Sequence, residues 1–584
     1  MAFPEDGLLL KTLEQVNEPS LDPRVSLETR KDVDDTATLT RQLSNLARGK
    51  EVAVVVESGS CAEKSSEPLY VEFQVGDRRN PMCFPPSKKW AITILACYST
   101  FIAASTSSAY NLGLPSMISD LNCTEFQAIV GLAVFTLGFG VVPLVSSSFS
   151  EEFGRQPLYI VSAVGFTLMY LVIALAHNIR TVIAARFLQG AFGSTWATMC
   201  QVGGTIADIW TPQERGLPMS IFSVAALGGT GLGPVISGWI EMNPKLQWRW
   251  IEWIQMINCG VYSLFVPLIL TETRTSILLT RLAKKLRKET GDSRYRARIE
   301  DERANLMVLI FISCTRPIHL LFTEPVVSSF SLWIGFLWGV MFCMIESIPG
   351  VFRDLHHFNV GEEGTVFTAI MQVSCLSLLT EMFNFKVLVH CLVSRQIFTK
   401  RICITLQSKY VKTRGPEARL ISACAAAVGL PISMFVYAWC SYARIHWISL
   451  VMALTIYFWA TFVVYLAVFS YLADCYGPFA SSALAGQSLC RKTSHPHRNE
   501  RFNDELTGNL MGTAFPLFTK QMFARLGYNW ANTMFALIAS LMMPIPFILL
   551  HYGPRIRAKS RFSRVVLERE ISAEFKPEIV TEAR

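Results

Sequence analysis

The chain has 584 residues, of which 51% are hydrophobic and only 17% are charged. This balance is too apolar for an ordinary soluble protein of that length, so the composition predicts a polytopic membrane protein. The net charge of +8 does not require a nucleic-acid partner, because the basic residues concentrate in connections that would share one side of a membrane.

The first segment, residues 1–88, is polar, rich in charge and poor in aromatic residues, which predicts a disordered cytosolic tail. Its start, MAFPEDGLLLKTLEQ, has no sustained apolar core. We therefore expect no cleaved signal peptide, and the first membrane span would act as the signal.

Eleven apolar runs of the sequence are long enough to cross the hydrocarbon core of a bilayer. They cover residues 90–111, 127–149, 157–177, 181–207, 216–240, 250–271, 328–352, 364–385, 418–440, 445–474 and 529–551. A twelfth span is broken, because the runs 478–490 and 509–518 are each too short and the residues between them are polar and charged.

The spans fall into two groups of about six, the layout of parallel repeats in secondary transporters. We expect an N-terminal half over 89–271, a linker over 272–327, a C-terminal half over 328–553 and a cytosolic tail over 554–584. The linker holds eleven Lys and Arg residues, whereas the loop 112–126 holds none. The positive-inside rule therefore places the linker and both termini in the cytosol.

This orientation predicts two surface features. Asn122 begins an Asn-Cys-Thr sequon in a loop on the external side, which predicts N-glycosylation. The charges of the linker occur at helical spacing, and they predict either an interfacial helix beside anionic lipid headgroups or a solvated helix without a lipid role.

The fifth span contains GGTGLGPVISG, in which small residues recur every four positions. Ala225, Gly229, Gly233 and Ser237 share one helix face, which predicts close approach of another helix. Pro234 interrupts the same helix, and its freed carbonyl needs neighbouring helices or water, so we expect a packed bundle around a cavity.

A candidate cytosolic gate lies between the second and third spans, in the sequence SEEFGRQP. If this turn is helical, Glu151 and Arg155 face each other beside Gly154 and latch a short loop; the alternative is a common surface turn. Acidic and basic residues at the cytosolic end of the fourth span could pair with this loop. They are Asp208, Glu214 and Arg215.

Two ionisable residues lie within predicted spans. Arg186 in the fourth span either faces the bundle interior, as a site residue, or extends its side chain to the outer interface. Glu346 in the seventh span, with Trp333 and Trp338 nearby, either lines an aromatic cavity for a cationic solute or pairs with Arg353 at the outer interface.

Four motifs in order resemble those of the major facilitator superfamily, and more narrowly the fungal twelve-span drug:proton antiporters, including polyamine and multidrug exporters. They are SEEFGRQP, ARFLQGAFGS, ERGLPMSIFS leading into GGTGLGPVISG, and WRWIEWI. The segments TRPIHLLFTEP, RGPEARL and YLADCYGPFASSALAGQS look like the same fungal branch, so the resemblance covers roughly residues 88–560.

The resemblance implies an all-α membrane protein with the major facilitator fold, two six-helix halves around a central cavity. It implies a monomer in the plasma membrane, in contact with membrane lipids. This monomer would export small organic or cationic solutes, such as drugs or polyamines, in exchange for protons, by alternating access. It assigns Glu151, Gly154 and Arg155 to the gate, Arg186 and Gly190 to proton coupling, and Gly229, Gly233, Pro234 and Gly238 to the antiporter motif. Gln156 and Ser237 depart from the usual pattern.

The sequence contains no pattern typical of an enzyme, such as a nucleophile and base pair, metal-ligand spacing or an ATP-binding loop. We therefore expect no metal and no cofactor, with the proton gradient as the energy source. The alternative is a receptor or inactive transporter homologue that binds solute without transporting it.

The resemblance fails over residues 373–410 and 491–508. The first segment puts Glu381, Lys386, His390 and Arg395 where the eighth span and a short loop should lie, and the second splits the eleventh span. Both begin with residue pairs whose codons can contain a splice-donor sequence, which leads to the hypothesis of retained introns. The alternative is that both are real extra loops.

Overall fold

The computed structural model of the protein describes residues 68–301, 324–372, 417, 420–476 and 510–559, apart from positions 75, 198, 212, 213 and 215. Residues 373–410, 478–490 and 491–508, on which several predictions fall, lie outside these ranges. The described residues are almost entirely α-helical and include one two-stranded sheet.

The N-terminal half is a run of helices from the first span to the sixth. They are α1 (Pro86–Ala109), α2 (Leu114–Leu121), α3 (Glu125–Phe153), α4 (Arg155–Ala174), α5 (Ile179–Ala197), α6 (Gly204–Ile209), α7 (Gly216–Glu241) and α8 (Gln247–Ile269). A 3₁₀ turn joins α1 to α2, and a π-helical turn joins α5 to α6. A capping box between Thr124 and Gln127 fixes the start of α3. Asn122, in the loop just before it, is exposed.

The linker and the C-terminal half follow. Their elements are α9 (Thr275–Thr290), β2 (Tyr295–Arg296), α10 (Arg298–Asp301), α11 (Pro325–His356), α12 (Val360–Val366), α13 (Leu420–Cys440), α14 (Ile448–Tyr476), α15 (Leu510–Met542) and α16 (Pro544–Lys559). Gly527, with φ 73°, divides α15 into the helices of the eleventh and twelfth spans. The helix before it starts at Leu510, so it extends well past the short run predicted at 509–518.

Eight stretches of the described chain are long and apolar enough to cross a membrane. The helices α5 and α8, which occupy the positions of the fourth and sixth spans, are not among them. Both carry polar residues within the membrane-length helix, Arg186 and Gln189 on α5 and Glu252 and Gln255 on α8. These polar residues lower the mean hydropathy of the two helices, and they are the residues from which the candidate site is built.

Part of the segment predicted as a disordered tail is ordered, which corrects that prediction for residues 68–84. The strand β1 (Leu69–Tyr70) pairs in parallel with β2 of the linker. Val71 is 1% exposed and packs with Ala283 and Leu286 of α9. Burial of this apolar cluster offsets the entropy of ordering the strand. We call this assembly of β1, α9 and β2 the clasp.

The interiors of the two halves are separate hydrophobic clusters. One packs around α1, α4, α5 and α8, with Tyr159, Phe166 and Trp196 fully buried. The other packs around α11, α13, α14 and α15. Leu227 of α7 belongs to the second cluster, so α7 contributes side chains to both halves.

Candidate functional site

The predicted gate is centred on Arg155, whose guanidinium Nε donates a 2.6 Å hydrogen bond to Oδ2 of Asp208. Its backbone N–H donates to Oε1 of Glu272 at 3.1 Å, where α8 leads into the linker. Arg155 and Glu272 are each 5% exposed. Charge-assisted bonds of this kind are strong because they are shielded from water. The structure thus brings together the second–third span loop, the end of the fourth span and the start of the linker.

Glycines make room for these contacts. Gly154 has φ 95°, and a Cβ atom there would lie 2.2 Å from Oε2 of Glu272. A Cβ atom on Gly204 would lie 2.4 Å from Nη2 of Arg155. The gate therefore depends on two positions where only glycine fits without displacement.

The predicted pairing of Glu151 with Arg155 rested on a helical turn, and that premise is wrong. The chain leaves α3 at Phe153 and enters α4 at Arg155, with the non-helical Gly154 between them. The i, i+4 geometry is therefore lost. The side chain of Glu151 and residue Arg215 lie outside the described parts. Glu214 is exposed and accepts a 3.1 Å hydrogen bond from the hydroxyl of Thr211.

Arg186 is fully buried, at 0% exposure, which excludes the alternative that it extends to the outer interface. Its Nη1 donates a 2.8 Å hydrogen bond to Oε1 of Gln189, and its Cζ lies 3.8 Å from the centre of the Tyr110 ring. Nε and Nη2 have no hydrogen-bond partner among the described residues. A buried guanidinium with so few partners is costly.

Gly190, one turn from Arg186, allows α5 to approach α3. A Cβ atom there would lie 2.1 Å from the carbonyl oxygen of Phe135. Gly138 makes the reciprocal contact, since its Cβ atom would lie 2.4 Å from the carbonyl oxygen of Phe187. The small residues bring the Phe135 ring within 5.1 Å of the Arg186 guanidinium.

Glu252 on α8 is a further buried ionisable residue in the same half, and none of the sequence motifs singled it out. It is 4% exposed, its Oε2 has no partner among the described residues, and it interacts electrostatically with Arg186. The sequence does contain a sign of this residue's importance, because Glu252 is a carboxylate inside the apolar run that follows WRW.

The start of α8 is held in place at its outer end. Arg249 pairs with Asp120 at 2.9 Å and donates hydrogen bonds to the carbonyl oxygens of Ala174 and Ala176. The Trp248 indole donates to Oδ2 of Asp120 at 3.1 Å. These contacts fix the position of Glu252, which lies one turn further along the helix.

Glu346 lies on α11 near three groups of the opposing helices: Thr519, Lys520 and Glu125. Neither of its carboxylate oxygens has a hydrogen-bond partner among the described residues. The alternative pairing with Arg353 is wrong, because Arg353 donates two 2.7 Å hydrogen bonds to Glu363.

The two predicted tryptophans are placed differently. Trp338 lies two turns from Glu346 on the same helix face and contacts Tyr465 edge-on at 5.9 Å. Trp333 is 1% exposed and belongs to the core of the C-terminal half. Its position beside Glu346 in a cavity is therefore a wrong prediction, because the spacing of 13 residues places it on another helix face.

The small residues of α7 serve two different faces. Cβ atoms on Gly229 and Gly233 would lie 2.4 Å from the carbonyl oxygen of Phe101 and 2.6 Å from that of Ser105, both on α1. Gly238 and Pro234 instead contact α12 of the other half, where a Cβ atom on Gly364 would lie 2.5 Å from the Pro234 carbonyl oxygen. We call the contact of α7 with α12 the outer seam.

Two further contacts join the halves near the outer ends of their helices. Asn111 donates a 2.8 Å hydrogen bond from Nδ2 to the carbonyl oxygen of Ile345, and Glu125 forms an ion pair with Lys520. With the outer seam, these contacts close the halves against each other on the side that the charge distribution assigns to the exterior. Glu346 adjoins these contacts, since it follows Ile345 and interacts electrostatically with Glu125 and Lys520.

The geometry agrees with comparisons to known proteins. The family model of the Major Facilitator Superfamily matches residues 96–490. The chain is 32% identical to a "Major facilitator superfamily multidrug transporter mdrA" of Aspergillus fumigatus, over 85% of this chain and 76% of that protein. It is also 32% identical to "Efflux pump radE" of Floropilus chiversii, over 86% and 87% of the two chains.

Solved structures share the fold at low identity. The proton:xylose symporter XylE superposes with a TM-score of 0.52 at 14% identity, over 80% of this chain and 96% of that one. The human organic anion transporter MFSD10 superposes with a TM-score of 0.50 at 14% identity, over 79% of this chain and 100% of that one. At this identity the likeness concerns the fold alone.

Proposed function

Because this chain belongs to the major facilitator superfamily and is therefore a multi-pass membrane transporter of small-molecule solutes, not an enzyme, we propose that it exports organic cations across the plasma membrane in exchange for protons. The proton gradient is the energy source, no cofactor takes part, and the monomer is the working unit.

The observation that carries the proposal is the buried, incompletely paired Arg186. A fixed positive charge in a water-excluded bundle interacts strongly with every charge that comes near it. A cationic solute and a transported proton both add positive charge to this region, so binding of one disfavours binding of the other. Mutual exclusion of this kind is the thermodynamic basis of exchange.

Glu346 supports the choice of a cationic solute. Its carboxylate oxygens have no hydrogen-bond partner in the part of the chain that the structure describes, and Trp338 and Phe342 lie on the same face of α11. A carboxylate beside aromatic rings favours an amphipathic cation through charge and ring contacts together. Export, not uptake, is favoured because relatives that are 32% identical are named as a multidrug transporter and an efflux pump.

Transport assays on the full chain in proteoliposomes test this proposal. Vesicles with an acidic interior should accumulate radiolabelled spermidine or the cationic dye rhodamine 6G, and nigericin should abolish the accumulation. Arg186→Ala should lose gradient-driven accumulation, whereas Arg444→Ala, at an exposed loop position, should retain it.

Three outcomes separate the candidate functions. Accumulation that survives nigericin would contradict proton coupling and leave a transporter driven in another way. Binding of the dye without accumulation would support a non-transporting receptor instead. Unchanged gradient-driven accumulation in Arg186→Ala would show that the coupling charge has been assigned to the wrong residue.

A further inference from the structure

We infer that Glu252 on α8 is the group that binds and releases the transported proton, with Arg186 stabilising its anionic form. The inference rests on the proposed proton exchange and names the residue that performs it. It places the proton site inside the N-terminal half, and contacts connect this site to the Glu346 region between the two halves: Arg186 lies against Tyr110, and the next residue, Asn111, bonds to the carbonyl oxygen of Ile345.

The first support is that Glu252 and Arg186 are buried together with unused hydrogen-bonding capacity. Glu252 is 4% exposed and Arg186 is 0% exposed. Oε2 of the carboxylate and Nε and Nη2 of the guanidinium all lack hydrogen-bond partners in the described part of the chain. The two opposite charges attract each other without a direct hydrogen bond. Protonation of the carboxylate therefore removes the attraction without breaking such a bond.

The second support comes from the other groups facing Glu252. In the described structure, the titratable groups that interact with it electrostatically are Arg186 of α5, Tyr110 of the 3₁₀ turn and Tyr170 of α4. Tyr110 donates its hydroxyl proton to the carbonyl oxygen of Ala128 at 2.9 Å. Tyr170 donates to Oε1 of Gln255 at 2.7 Å.

Both tyrosine hydroxyl protons are therefore donated to other groups, and among the described residues Arg186 is the charged group that stabilises the carboxylate. An anionic Glu252 depends on that guanidinium, because burial removes its hydration. A protonated Glu252 is neutral and no longer needs it. Proton binding therefore weakens the electrostatic attraction between Glu252 of α8 and Arg186 of α5.

The proton balance is simple. One proton adds to a carboxylate oxygen of Glu252 and gives the neutral acid, when the site is open to the exterior. The same proton leaves to the cytosol after the halves change orientation, which restores the carboxylate and its attraction to Arg186. No bond other than this O–H bond forms or breaks, and no further reactant is needed.

The test compares gradient-driven accumulation with counterflow, in which labelled solute exchanges for unlabelled solute at equal pH. Glu252→Gln, which is permanently neutral, should keep counterflow and lose gradient-driven accumulation to the level seen with nigericin. Glu346→Gln should instead weaken both, through a higher KM for the cation. Glu289→Gln, at an exposed linker position, should behave like wild type.

Glu252→Asp supplies a measurement that does not depend on the glutamine variant. It keeps the carboxyl group at a new distance from Arg186, so its gradient-driven accumulation should persist with a shifted pH midpoint. An unchanged midpoint would overturn the inference, as would Glu252→Gln that still accumulates solute or that loses counterflow as well. Failure of wild type to respond to a pH gradient would overturn the proposed proton exchange itself.

Discussion

Arg155 and Arg186 are both buried arginines of the N-terminal half, but their charges are balanced in different ways. Arg155 pairs with Asp208 and is held through its backbone by Glu272. Among the described residues, Arg186 donates one hydrogen bond, to Gln189, and its guanidinium lies against the rings of Tyr110 and Phe135. A paired buried charge stabilises one arrangement of helices, whereas an incompletely paired charge responds to what enters its surroundings.

At the gate, Gly154→Ala should destabilise the protein more than Gly291→Ala. Both glycines have positive φ, but a Cβ atom at Gly154 would lie 2.2 Å from Glu272, whereas one at Gly291 would meet nothing within 4 Å. Gly291→Ala isolates the backbone cost of roughly 1–2 kcal/mol. Thermal unfolding of both purified variants measures the difference, and equal losses would contradict the close fit at the gate.

At the scale of helices, α7 connects the halves because its small residues face two neighbours. Gly229 and Gly233 pack on α1, and Gly238 packs on α12 across the outer seam. The four-residue spacing of small residues predicted close packing, but it described one face. The second face was not evident from the sequence. Pro234 and Gly238 belong to the same motif as Gly229 and Gly233, but they contact a different helix.

Gly238→Leu should open the outer seam, and Gly228→Leu on the same helix should not. A Cβ atom at Gly238 would lie 2.7 Å from the carbonyl oxygen of Val360, whereas one at Gly228 would meet nothing within 4 Å. Lys245 and Trp530 are exposed positions on the two halves. Each is replaced by a genetically encoded residue that carries a spin label, and the distance between the two labels reports the separation of the halves. We expect a longer mean distance for Gly238→Leu alone, and equal distances in the two variants would contradict the close fit at the seam.

The packing of the clasp, in which the strand β1 lies against α9, can be tested in the same way at the scale of helices and strands. Val71→Asp buries a carboxylate in the apolar cluster beneath α9 and should release the strand β1, at a cost of roughly 3 kcal/mol. Gln74→Asp adds the same side chain at an exposed position. Trypsin cleavage at the exposed Arg78 should accelerate in the first variant only, and equal rates would contradict the clasp.

At the scale of the whole molecule, much of the architecture could be predicted from the sequence, since apolar runs report spans whatever their packing. Arg186 could be identified because a charged residue inside an apolar run can be recognised from the sequence alone. Glu272 could not, because it meets Arg155 across 117 residues. Trp333 was misplaced because it was grouped with Glu346 by nearness in sequence, although a spacing of 13 residues puts the two side chains on different faces of the helix.

The segments 373–410 and 491–508 also belong to this scale. The family match ends at residue 490, next to the second segment. We expect sequencing of the transcript to show splice junctions that remove both, because a span buried in lipid does not accept a strongly polar insertion. Reads that continue through both segments would establish them as real loops. Transport assays on the chain with and without them show which form is active.

The central claim is that solute and proton move in opposite directions through one molecule. Proteoliposomes loaded with a pH-sensitive dye and given a gradient of spermidine, with no initial pH difference, measure it most directly. Outward flow of spermidine through the wild-type protein should acidify the vesicle interior. The interior pH should not change with Arg186→Ala or with Glu252→Gln. Spermidine efflux with no change of internal pH in the wild-type protein would contradict the account.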